Sequence, residues 1–210
     1  MTDFEEIFKN LRSQLERDNN IREELITLGR QSIQKSSMTI RYIHRGEYPE
    51  AEVLIRENEM IISRLNKIAA EMAFVPPGQI ISYNQEFAEA VMLMHFMQSK
   101  PIPSPDDLKI PYISYLHGLA DFLGELRRVV LDLLRKKNHK DELERAIHIL
   151  DVMEDIHVLL TTLDFPDGLT HNLRRKSDRT RGLIERTRGD LTLGVLMSRQ
   201  NLPDHENDGF

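Results

Sequence analysis

The stretch DFLGELRR, residues 121–128, sets Asp121 and Glu125 four residues apart in a run otherwise rich in leucine and phenylalanine. On a helix that spacing puts the two carboxylates side by side, where like charges repel unless a cation or a proton is shared. A second pair, Glu86 and Glu89, lies in NQEFAEAVMLMHFMQ, which is apolar nearly all round after Glu89. A helix apolar on every side is buried, and a buried carboxylate needs a partner. If the two helices pack with these positions facing, Glu86, Glu89, Asp121 and Glu125 converge as an all-oxygen cluster. Such a cluster suits a hard divalent cation, Mg²⁺ or alternatively Mn²⁺. That cation activates water and neutralises charge on phosphate oxygens. The plainer reading is a solvated polar stripe, since acidic pairs at helical spacing are common on helix surfaces.

These residues need helices to position them, and the hydrophobic pattern supplies helices throughout. Phe4, Ile7, Phe8, Leu11 and Leu15, then Ile21, Leu25 and Leu28, recur at three- and four-residue spacing, so residues from Thr2 to about Arg45 read as one long amphipathic helix, or two nearly collinear ones, ended by Gly46. A second helix opens near Pro49 and runs to about Ala73. A third spans about Ser82–Ser99, a fourth Pro111–Lys137, a fifth Lys140–Leu163 and the last Asp167–Met197. Proline-bearing stretches, FVPPGQI, KPIPSPDD and DFPDG, separate them. Short connections between long helices give antiparallel neighbours. The expected fold is an all-α antiparallel bundle of about six to seven helices, a single domain over 1–198, with a disordered tail over 199–210.

Composition narrows the function classes. The chain has 210 residues, a net charge of −6 and no cysteine, with a pI near 5.8. Disulfides, thiolate metal sites and cysteine nucleophiles are excluded. A nucleic-acid site would have to be a local basic patch. The charged N-terminus is unlike a signal peptide and no apolar run has membrane-spanning length, so a cytoplasmic protein with no membrane partner is expected.

Candidate phosphate-binding residues are Arg127 and Arg128, directly after the acidic pair, and Arg181 and Arg188 in a heptad repeat, RTRG at 179–182 and 186–189. For all four the alternative is an ion pair or a solvated face. Gly182 and Gly189 in that repeat suggest a close helix approach. Few aromatics are available for base stacking, so sequence-independent backbone binding is expected. Glu154 and His157 form E-x-x-H, the spacing of di-iron bundles, but no second copy exists. His95 and His117 read as packing residues.

QEFAEAVMLMHF and YLHGLADFLGELRR resemble the two signature segments of the translin superfamily, in the form of translin-associated factor X, and REELITLGRQSIQKSSMTIRYIHR resembles its N-terminal segment. The resemblance spans about residues 20–195 in the same helix order. It implies an all-α fold assembled into a hollow, roughly octameric shell, and a ribonuclease whose Mg²⁺ is held by Glu86, Glu89, Asp121 and Glu125. Asp121, which translin proper lacks, marks the catalytic type. The implied activity is endonucleolytic cleavage of single-stranded RNA by activated water. The alternative is a non-catalytic oligomer that binds single-stranded RNA or DNA. The segment AFVPPGQIIS is short and has no basic residue, unlike eukaryotic relatives. This compactness resembles archaeal members, which implies a homo-oligomer.

Overall fold

The computed structural model describes residues 4–72, 77–136 and 139–200. Among them every regular element is helical. They are α1 (Phe4–Arg45), α2 (Tyr48–Glu71), α3 (Pro77–Met97), α4 (Pro105–Leu108), α5 (Tyr112–Leu134), α6 (His139–Thr161), α7 (Asp167–Thr170) and α8 (Leu173–Gln200). The chain forms two compact units, divided within α5 between Leu119 and Ala120.

In the first unit α1 packs on α2 and α3, and α2 on α3. Acidic Glu5 and Glu6 in the first turn of α1 and basic His44 and Arg45 in its last turn complement the helix dipole. Gly46, at φ +76°, ends it in a conformation that glycine adopts without strain. Between buried Leu25 and Ile40, the inner face of α1 is small and polar. Gly29, Ser32, Ser36 and Thr39 are buried, and Asn58 of α2 donates to the Ser32 carbonyl at 3.2 Å and to Ser36 Oγ at 2.9 Å. Leu25, Leu65 and Tyr83 pack together beside them. Asn84 of α3 exchanges hydrogen bonds with Asn66 of α2, both at 2.9 Å. Residues 4–23 of α1, by contrast, are exposed along their whole length.

In the second unit α6 packs on α8 and α7 on α8. Its buried side chains include Phe122, Leu123 and Leu126 of α5, Met153 of α6, and Leu173, Ile184 and Leu191 of α8.

Three expectations need correction. The third helix starts at Pro77, five residues before Ser82, because proline fits a helix's first turn rather than ending the preceding loop. The stretch KPIPSPDD is not irregular throughout. Ser104 and Asp107 form a capping box, with Asp107 N–H on Ser104 Oγ at 3.1 Å and Ser104 N–H on Asp107 Oδ2 at 2.9 Å, and fold the short α4. The last helix is split, since His171 and Asn172 take φ +50° and +66° and separate α7 from α8. The tail assigned to 199–210 lies, from residue 201 on, outside the described residues.

Candidate functional site

Glu86 and Glu89 stand on successive turns of α3. Glu89 is 8 % exposed, flanked by buried Phe87, Ala88, Ala90, Val91 and Met92. Neither glutamate is without a partner, as burial of a carboxylate requires. Further along α3, the His95 ring nitrogen Nδ1 lies 2.7 Å from the Pro101 carbonyl, a packing role. Close approach in this unit is set by Gly118. A Cβ there would sit 2.7 Å from the Gln85 carbonyl oxygen and 2.9 Å from Ala88 Cβ. Gly124, between Asp121 and Glu125, has open space around its Cβ position.

Asp121 and Glu125 stand one turn apart on α5, both half-buried. Each faces a cation. Lys176 Nζ of α8 donates to Asp121 Oδ2 at 2.5 Å, with the two side chains 18 % and 30 % exposed. Arg128 Nη1 lies 3.6 Å from Glu125 Oε2. A lysine–carboxylate pair this far out of water is tighter and less screened than a surface pair. Sequence reasoning missed Lys176, which is 55 residues from Asp121 and lies in the basic stretch RRKSDR with no periodic signal.

Among the described residues no three histidine or carboxylate side chains form a group that could hold a metal. What the two pairs offer is the right donor chemistry. All four side chains present carboxylate oxygens, which fits Mg²⁺ or Mn²⁺ and not a soft metal.

The arginines divide by role. Arg127 reaches α8, with Nη1 donating to Thr187 Oγ1 at 2.9 Å and Nη2 to Asp190 Oδ2 at 2.7 Å. Arg128 and Arg181 are exposed. Arg188 is exposed as well and donates to Glu154 Oε1 at 2.7 Å. In the RTRG repeat the buried residues are Thr180 and Thr187, not the glycines. A Cβ at Gly182 would meet only the Arg186 guanidinium and one at Gly189 nothing. The E-x-x-H pair is otherwise engaged. Glu154 holds Arg188, and His157 Nδ1 lies 2.7 Å from Thr180 Oγ1. Burial, then the Arg181 guanidinium, lower the His157 pKa, against a smaller opposing effect of Asp178.

Residues 20–187 match the model of the translin family. The chain is 36 % identical over 190 residues to an uncharacterized protein of Methanocaldococcus jannaschii, covering 90 % of this chain and 81 % of that one. The chain belongs to the translin family. It is also 24 % identical over 166 residues to translin-associated protein X of Pongo abelii, covering 60 % of this chain and 57 % of that one. Among solved structures, AfC3PO in complex with duplex RNA superimposes with a TM-score of 0.81 at 30 % identity, covering 93 % of this chain and 99 % of that one. Apo-NeC3PO has a TM-score of 0.78 at 20 % identity, covering 89 % and 96 %, a likeness of fold. No described helix of this translin-family chain is long and apolar enough to cross a membrane.

Proposed function

We propose that this translin-family chain is a divalent-cation-dependent endoribonuclease of the cytoplasm that cleaves single-stranded RNA as a homo-oligomer, with 1–198 as one functional domain. The observation that carries the reading is the Asp121–Glu125 pair itself, two half-buried carboxylates one turn apart on α5. Paired carboxylates held partly out of water are a costly arrangement on a purely structural helix. Glu86, Glu89, Asp121 and Glu125 would hold the cation, Mg²⁺ or Mn²⁺. When bound, that cation supplies water activation and charge neutralisation at the phosphate. Glu125 accepts the proton of the attacking water. Arg128, Arg181 and Arg188, all exposed, bind phosphates of the RNA backbone, and single-stranded DNA would meet the same cations. Arg127 holds α8 in place.

Self-association is supported by α1. Phe4, Phe8 and Leu15 are each 69 % exposed and lie with Leu11 on one face of its first turns. An apolar stripe of this kind marks a surface that another chain covers. The relative AfC3PO, which forms a complex with duplex RNA, supports RNA as the ligand, and the family resemblance suggests an octamer.

A second reading, an RNA-binding oligomer without catalysis, is favoured by one observation. Asp121 already holds an internal cation, Lys176, at 2.5 Å. Product analysis separates the two. Incubation with single-stranded and duplex RNA in Mg²⁺ is expected to yield 5′-phosphate and 3′-hydroxyl ends from the single strand, because water is the nucleophile. A 2′,3′-cyclic phosphate would overturn the water route, and binding without cleavage would establish the second reading.

A further inference from the structure

Lys176 is absent from every role assigned so far, yet it makes a short ion pair with a residue of the proposed site. Its side chain is 18 % exposed, its nitrogen lies 2.5 Å from Asp121 Oδ2, and it comes from α8 while its partner is on α5. Removing a lysine from water costs several times what an exposed ion pair returns, so such a pair persists only with close geometry. The neighbouring Glu125, one turn on, is served by the half-exposed Arg128 at 3.6 Å, a weaker arrangement. Asp121 is thus neutralised from inside, by a cation that another helix supplies.

We propose that Lys176 is the resident counter-cation of Asp121, which a divalent ion must displace, so that this lysine sets the affinity of the site for metal. The inference rests on the nuclease reading for the site's taking a divalent ion at all. Its physical basis is competition. An ammonium and a doubly charged ion cannot both sit against one partly desolvated carboxylate without strong repulsion. In the absence of metal Lys176 relieves the repulsion between Asp121 and Glu125. In its presence the lysine must swing away on its flexible four-carbon stem, and that displacement weakens binding. Such a site stays folded without metal and fills only when the cation concentration is high enough to overcome the internal ion.

The test is Mn²⁺ binding to the full chain, followed by the loss of the free-Mn²⁺ electron paramagnetic resonance signal, with no RNA present. Lys176→Met is expected to bind Mn²⁺ about tenfold tighter than the native chain, the change that removal of one nearby positive charge makes at a carboxylate. Lys176→Arg, which keeps the charge, is expected to bind as the native chain does. Without metal Lys176→Met should melt at a lower temperature than the native chain, and Mn²⁺ should close that gap. Equal or weaker binding by Lys176→Met, with helical circular dichroism intact, would overturn the proposal, because a lysine that merely braces α8 would loosen the site when lost. If Lys176→Met does not fold, Lys176→Gln gives the same reading. Failure of the native chain and the variants alike to bind Mn²⁺ would overturn the metal-dependent nuclease reading itself, and this inference with it.

Discussion

Arg127 of α5 is bonded to Asp190 of α8, Nη2 to Oδ2 at 2.7 Å, with the arginine 18 % and the aspartate 37 % exposed. Its other terminal nitrogen donates to Thr187 Oγ1 at 2.9 Å, and Thr187 is fully buried. The next residue, Arg128, is exposed and meets only the edge of Glu125's reach, at 3.6 Å. Adjacent arginines therefore do different work. Arg127→Lys keeps the charge but loses the planar fork, and is expected to lower stability by about 1–2 kcal/mol in denaturant titration. Arg128→Ala is expected to change stability by less than about 0.5 kcal/mol. It should instead weaken RNA binding and reduce the slope of log affinity against log salt by about 0.7, the contribution of one phosphate contact on a single strand.

Glycine substitutions separate close contact from mere helix composition. At Gly29 of α1 a Cβ would fall within the Tyr83 ring, a rigid neighbour with 8 % exposure. Gly29→Ala is expected to destabilise by about 1–3 kcal/mol, the usual cost of overpacking. Gly124→Ala meets open space and removes a flexible residue from a helix interior, so a gain of about 0.5–1 kcal/mol is expected. Thermal melts of the two variants, measured together, check both signs.

His157 gives the fold a pH dependence of known direction. Burial and the Arg181 guanidinium disfavour its charged form, so its folded pKa lies below the ordinary 6.5. Between those two values the unfolded chain binds more protons than the folded one, and stability rises with pH. The contribution is fully present above pH 6.5 and is lost as pH falls through the lowered folded value. His157→Gln, which can still bond Thr180, should flatten the stability profile below that pH relative to the native chain. An unchanged slope would show that other groups carry it.

The helices were legible because apolar spacing is local. The stripe from Phe4 to Leu28 and the stop at Gly46 required nothing but the sequence. The interruption between α7 and α8 was not, because His171 and Asn172 carry no glycine or proline signal and asparagine enters the left-handed region at modest cost. The short α4 was hidden among prolines, although Ser104 and Asp107 have capping-box spacing and could have revealed it. At the candidate site, the turn-by-turn positions of Glu86, Glu89, Asp121 and Glu125 followed from the helical period. Lys176 did not, since its pairing with Asp121 is made by tertiary packing of α8 on α5. Gly118 and Gly124 look alike in sequence, and the Gln85 carbonyl and Ala88 Cβ standing against Gly118 distinguish them.

We propose Asp121 and Glu125 as members of a metal-dependent nuclease site. The most direct measurement is cleavage of end-labelled single-stranded RNA by the purified chain in Mg²⁺, with EDTA and Glu125→Ala as parallel arms. Cleavage is expected from the native chain, none in EDTA, and a fall of at least about 100-fold in Glu125→Ala, the contribution of a positioned acid–base group. Cleavage that survives Glu125→Ala, or RNA bound and left whole by the native chain, would contradict it.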